Sequence, residues 1–314
     1  MKPTRSVLSV PGHRETMHVK AAASRADAVM LDLEDSVPLE EKTAARSRIV
    51  ESLKRLDWGQ KTVTFRINAV DTSLGYRDLL EVAEAAGDRI DAVVIPKIED
   101  PGDVHFAARL LSGVEKSRGW KKPIGIEASI ETAAGLDRIR DIAAADLRVC
   151  RLVFGIVDYQ VSIGARLVSI SGHGEREEEV YPGHRWNFAM SRIVMSAKSL
   201  GIAAIDAPYG NFRDPEGLEK AAAMACALGF DGKWVIHPDQ IDAVNRIFTP
   251  SPEEIERAEK VMAAYRKAEQ DGRGAVAVDG RMVDGATIRL ARRMLEQMGS
   301  LAQPTGKDGP GESE

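Results

Sequence analysis

Five short apolar runs in this chain each close on a charged residue. They are Ala28-Val29-Met30-Leu31-Asp32-Leu33-Glu34-Asp35, Val63 to Arg66, Ala92 to Lys97, Ile124 to Glu131 and Leu152 to Asp158. A short continuous apolar run matches a strand buried on both faces, as in a parallel sheet. When such strands form a barrel, functional groups sit at their C-terminal ends. Carboxylates at three of these ends and cations at two would then converge on one mouth. A divalent cation holding an anionic substrate suits that mouth.

The alternation continues along the chain. Strands are expected at Ser6–Val10, Ala28–Leu33, Thr62–Ile67, Ala92–Pro96, Ile124–Ala128, Leu152–Ile156, Ala203–Ala207 and Lys233–Ile236. Helical periodicity lies between them, for example over Glu41–Leu56, Asp103–Ser117, Ala134–Ala144 and Pro215–Leu228. Asp100-Pro101 and Asp214-Pro215 read as an N-cap followed by proline at the first helical position. Eight βα units predict an α/β (β/α)8 TIM barrel. An open doubly wound sheet would carry a Gly-x-Gly-x-x-Gly after its first strand, and none is there.

A barrel of about 250 residues leaves part of the 314-residue chain over. The expected organisation is a catalytic barrel over 1–248, a C-terminal extension over 249–302 and a disordered tail over 303–314. Within the extension, Pro252–Asp271 is expected as a helix, Ala275–Met282 as a short β segment and Gly285–Gln297 as a second helix. The polar stretch from Tyr159 to Trp186 follows strand six, so it is a lid, an interface loop or a solvated excursion.

Lys plus Arg number 43 against 48 Asp plus Glu, a net charge of −5 that argues against a nucleic-acid or anionic-membrane surface. No apolar run of about 18 residues and no signal-peptide core occur, so a cytoplasmic enzyme is expected. Cys150 and Cys226, in apolar surroundings, read as buried thiols rather than a disulfide pair.

Several charged residues have two readings. Glu131 and Asp158 suit Mg²⁺, which takes one or two carboxylates and keeps waters or substrate oxygens, or else they cap helices. Asp32, Glu34 and Asp35 form an outer layer around that metal or a salt-bridged network. Arg66 offers a planar fork to a carboxylate or thioester oxygen, or pairs with Asp32 or Glu34. Lys97 invites a Schiff base, although an ion pair with neighbouring carboxylates is the more frequent arrangement. His237 contacts ligand or packs. Arg14 and Lys20 flank the loop and helix start after strand one, where an anion would sit, or are solvated surface charges.

Taken in order, Arg5-Ser6-Val7-Leu8-Ser9-Val10-Pro11-Gly12, Leu31 to Val37, Arg66-Ile67-Asn68, Ile95-Pro96-Lys97, Ile130-Glu131-Thr132-Ala133, Gly155 to Tyr159 and Trp234 to Pro238 resemble the HpcH/HpaI aldolase, or citrate lyase β-subunit-like, family. Within it the chain is similar to the L-malyl-CoA/β-methylmalyl-CoA lyases. The resemblance runs from about Arg5 to the Ile288 region. It implies a Mg²⁺- or Mn²⁺-dependent enzyme making or breaking a C–C bond between an acyl-CoA and a 2-oxo acid, glyoxylate or pyruvate. By position it implies Glu131 and Asp158 as metal ligands, with Arg66 near the thioester and oxo-acid oxygens. Ser9, Arg14, Lys20, Ile130, Val157, Ile236 and His237 fall at substrate or CoA contacts; position 9 is often aromatic in the family and is serine here. Asp284 matches an acid that reaches a neighbouring subunit's site, which implies a homo-oligomer, trimer or hexamer. Citramalyl-CoA cleavage, a CoA-independent aldolase and a non-catalytic CoA- or acyl-carrier-binding subunit remain as alternatives.

Overall fold

The computed structural model describes residues 2–166, 184–270, 276–278 and 280–302. It divides into two compact units, one spanning Thr4–Phe248 and the other joining the residues up to Pro3 with those from Thr249 on.

In the first unit, eight described strands close into a parallel barrel in chain order. They are β1 (Ser6–Pro11), β2 (Ala28–Asp32), β3 (Thr62–Arg66), β4 (Ala92–Ile95), β5 (Gly125–Ile130), β6 (Val149–Phe154), β7 (Ala203–Asp206) and β8 (Gly232–Val235). The register of β8 on β1, with Val7 opposite Trp234, closes the ring. All eight expected strands are present. Strand six sits about three residues earlier than its apolar run suggested, because Gly155 ends it and Ile156–Ser162 turns helical.

The helices are α1 (Glu15–Ala23), α2 (Lys42–Arg55), α3 (Gly75–Ala86), α4 (Pro101–Arg118), α5 (Ala133–Asp137), α6 (Ile139–Ala144), α7 (Ile156–Ser162), α8 (Asn187–Ser199), α9 (Pro215–Leu228) and α10 (Ile241–Ile247). The single helix expected over Ala134–Ala144 is broken at Arg138 into α5 and α6. Both aspartate–proline starts are as expected. Asp100 forms a reciprocal capping box with Asp103, and Asp214 accepts from the Gly217 amide.

Strand pleating separates two apolar layers. Val7, Ala28, Met30, Val94, Val153, Ile205 and Trp234 cluster inside the barrel, while the alternate positions join the larger core under the helices. Asp206 and Lys233 neighbour Ile205 and Trp234 in sequence and so face the helix layer. They form a fully buried ion pair at 2.5 Å. A second ion pair, Glu127–Arg151 at 2.5 Å, is buried too. Cys150 and Cys226 form no disulfide and are only half-buried; their thiols donate to the Ile126 and Ile247 carbonyls. No helix among the described residues is long and apolar enough to cross a membrane.

The second unit contains α11 (Pro252–Gln270), the antiparallel pair β9 (Val276–Val278) and β10 (Arg281–Val283), and α12 (Gly285–Ala302). Ala258, Val261, Met262, Val283, Ile288 and Ala291 form its core. The tail over 303–314 and residues 167–183 of the polar stretch after strand six lie outside the described residues.

Candidate active site

Asp32 ends β2 and Arg66 ends β3, paired in register across the sheet. Arg66 Nε and Nη2 donate to the two Asp32 oxygens, both at 2.7 Å, and Nη1 lies 2.9 Å from Glu34 Oε2. The guanidinium stands 5.6 Å over the Trp234 ring. Two of its five N–H donors are engaged by Asp32, while the contact with Glu34 is an ion pair that leaves Glu34 Oε2 without a hydrogen-bond donor. Burial alone would push Asp32 up, yet Arg66 beside it holds the carboxyl below the usual range. Of the two readings of Arg66, the pairing with Asp32 is the one present here.

Glu131 follows β5 directly and is 1% exposed. Its Oε1 accepts from the Lys97 backbone N–H at 2.5 Å. Burial, reinforced by the carboxylates of Glu34 and Asp158, pushes its carboxyl up to about 8. Asp158 is not at a strand end, as the apolar run suggested. It sits in the first turn of α7, where the helix N-terminus favours a carboxylate.

Lys97 ties the cluster together. Its Nζ donates to Glu34 Oε1 at 2.5 Å and lies 3.6 Å from Asp35 and 3.7 Å from Asp158. Burial favours the neutral amine, but the Glu34 carboxylate beside it holds the ammonium well above the usual lysine range. An amine held protonated is a poor nucleophile, so the ion-pair reading fits and the Schiff-base reading does not.

Five carboxylates (Asp32, Glu34, Asp35, Glu131, Asp158) here face two cations, an excess of three negative charges when all are ionised. A divalent cation relieves that excess, and hard oxygen donors suit Mg²⁺ or Mn²⁺. The described residues contain no group of three or more His, Cys, Asp or Glu poised as a complete metal cage. Glu131 and Asp158 are two carboxylates that could hold Mg²⁺, which takes its other ligands from water and substrate.

Gly155, to which the sequence reading assigned no role, makes room for this arrangement. A Cβ there would stand 2.0 Å from Glu131 Oε2. Gly155→Ala is expected to displace Glu131 and weaken Mg²⁺ binding at least tenfold while the barrel still folds. Calorimetric titration with Mg²⁺ checks this, and unchanged affinity would contradict it.

Lys42 was also missed. Its Nζ donates to the carbonyls of Leu33 (3.0 Å) and Glu34 (2.8 Å) and to Asn68 Oδ1 (2.5 Å). Asn68 in turn donates to buried Asp78, which lies 2.9 Å from Arg46. This network fixes the backbone that carries Glu34. Its signal in sequence was only the Arg66-Ile67-Asn68 string.

The other expected contacts are spread more widely. Ser9 on β1 is half-buried and Arg14, the residue before α1, is exposed. Lys20 does not flank the helix start; it lies in the last turn of α1, six residues on from Arg14. Glu15, beside Arg14, pairs with Arg55. Val157 and Ile236 are exposed, but the Ile130 side chain is fully buried under the helices and leaves only its backbone near the site. His237 caps the turn after β8, accepting from the Asp239 amide at 3.3 Å, and stacks on Phe212 with centroids 5.1 Å apart. Asp284, in the second unit, caps α12 by accepting from the Ala286 and Thr287 amides at 3.0 Å.

A profile of the HpcH/HpaI aldolase/citrate lyase family matches residues 5–238. An L-malyl-CoA/β-methylmalyl-CoA lyase of Cereibacter sphaeroides is 38% identical over 94% of this chain and 95% of its own. A malyl-CoA/β-methylmalyl-CoA/citramalyl-CoA lyase of Chloroflexus aurantiacus is 31% identical over 98% and 93%. Among solved structures, CitE of Mycobacterium tuberculosis in complex with magnesium, acetoacetate and coenzyme A superposes with a TM-score of 0.75 at 32% identity, over 95% of this chain and 98% of that one. A citrate lyase of Burkholderia xenovorans reaches a TM-score of 0.84 at 20% identity, over 98% of this chain and 95% of that one, a likeness of fold. A closed eight-stranded barrel with Arg66, Glu131 and Asp158 around its mouth, matched by that profile through β8, belongs to the HpcH/HpaI aldolase/citrate lyase family.

Proposed function

We propose that the chain is a divalent-metal-dependent carbon–carbon lyase that splits malyl-CoA or β-methylmalyl-CoA into acetyl-CoA or propionyl-CoA and glyoxylate. The buried Glu131 carboxyl, on whose charge Glu34, Arg66, Asp158 and Lys97 all act, carries this reading, and the names of the relatives at 38% identity support it. Bound Mg²⁺ or Mn²⁺ supplies a Lewis acid for the oxygens of the 2-hydroxy acid.

The chain's own residues do the rest. Glu131 and Asp158 hold the cation. The Arg66 donors not bonded to Asp32 are assigned to stabilising the thioester enolate formed when the C–C bond breaks. Ser9, Arg14, Lys20, Val157, Ile236 and His237, with the Ile130 backbone, are assigned to the CoA and acyl portions. Asp284 from a neighbouring subunit moves a proton to or from the CoA-derived carbon. The same reading carries a cytoplasmic homo-oligomer, a trimer or a hexamer, with the barrel (1–248) as catalytic domain and 249–302 as the reaching extension.

The test is cleavage of malyl-, β-methylmalyl- and citramalyl-CoA with Mg²⁺ and with EDTA. Metal-dependent release of glyoxylate supports the proposal. Release of pyruvate from citramalyl-CoA alone replaces the substrate. No cleavage with metal bound overturns the CoA-lyase reading in favour of a CoA-independent aldolase or a silent subunit. Asp284→Asn is expected to keep the α12 cap, since asparagine caps as well as aspartate, and to lose more than a hundredfold in kcat with Mg²⁺ affinity unchanged. Full activity in that variant would remove Asp284 from the mechanism.

A further inference from the structure

Lys97 is the one non-glycine residue among those described with a left-handed backbone, at φ 52°. A side chain in that region is strained, and such strain persists where surrounding structure enforces it. Both polar ends of Lys97 meet the carboxylate cluster. The backbone N–H is aimed at Glu131 Oε1, and the ammonium reaches Glu34, Asp35 and Asp158.

The two ends act in opposite directions on a cation. The N–H holds a candidate ligand oxygen in one orientation, so less order has to be imposed when a cation binds. The ammonium is a positive charge drawing on the same carboxylates, and like charges a few ångströms apart in a partly buried site repel.

We propose that Lys97 sets the divalent-cation affinity of this site, its left-handed backbone aligning Glu131 and its ammonium holding the affinity below what the carboxylates alone would give. The inference rests on the metal reading above. A site adjusted in this way grips its cation firmly only when an anionic substrate adds its own oxygens.

The test is titration calorimetry with Mg²⁺ alone, without substrate, on the full chain. Lys97→Met keeps the stem and the backbone preference and removes only the charge, and it is expected to bind Mg²⁺ about tenfold more tightly than wild type. Lys97→Gly and Lys97→Ala both lack the ammonium, but only glycine takes φ 52° freely. Lys97→Gly is expected to bind several-fold more tightly than Lys97→Ala. Equal or weaker binding by Lys97→Met overturns the role of the ammonium. Equal binding by the glycine and alanine variants overturns the role of the backbone. Absence of Mg²⁺ binding by wild type would instead overturn the metal reading itself, and this inference with it. Should the glycine variant fail to fold, Lys97→Met still decides the charge.

Discussion

Replacing Glu131 with glutamine is expected to lower metal-dependent cleavage more than a hundredfold and weaken Mg²⁺ binding to a similar degree. Loss of an outer partner of a metal ligand costs 10- to 100-fold, so loss of a ligand itself should cost more. The wild-type site also predicts a pH signature. Burial and then the Glu34 and Asp158 carboxylates raise the Glu131 carboxyl to about 8. Below that pH the side chain holds a proton that a metal must displace. Mg²⁺ affinity should therefore fall about tenfold for each pH unit below roughly 8. In Glu131→Gln that slope should flatten. Calorimetric affinities for wild type and variant at several pH values between 6 and 9 supply the check. A flat wild-type profile would show that Glu131 does not carry the competing proton.

The second large effect concerns stability. Arg66→Met leaves the fully buried Asp32 carboxylate without its bidentate partner. Removing one member of a buried pair costs about 3–5 kcal/mol. In a unit of this size that lowers the melting temperature by roughly 10 °C. The pH dependence should change sign too. In wild type the folded Asp32 carboxyl lies below its ordinary value. Its contribution is complete above the unfolded value near 3.9 and is lost as pH falls through the folded one. Without Arg66, desolvation raises the carboxyl, so that stability falls as pH rises above about 4. Asp32→Asn combined with Arg66→Met should recover much of the stability and none of the activity. Denaturant unfolding of the four proteins in this cycle decides the matter. Equal stability of Arg66→Met and wild type would mean that the pair contributes nothing.

The barrel was legible because each strand is a compact apolar run and each connection is long enough for a helix. Asp158 was misplaced for a local reason. Periodicity cannot show that a strand stops at Phe154 when Ile156 and Val157 continue the apolar string, and Gly155 was the one mark of the break. Arg66 could not be divided between partner and catalyst, since that depends on how many N–H groups Asp32 and Glu34 engage. The ion pair of Asp206 and Lys233 was invisible. Its members carried no mark in the sequence, and only the register of β7 on β8 sets them side by side, facing the helices. The bend at Lys97 left no sequence mark either, because a left-handed backbone is normally announced by glycine or asparagine.

Closure of the ring by β1 and β8 has a consequence for biosynthesis. Leu8 pairs early with Val29 on one side, but its partner on the other, Val235, lies roughly 230 residues later, which at about 5–20 residues per second takes on the order of 10–45 s to translate. Until then the nascent chain carries β1 with one hydrogen-bonding edge open and its apolar faces incompletely covered, the condition in which strands recruit foreign edges. A ribosome stalled before Gly232 would hold seven strands unable to form a ring.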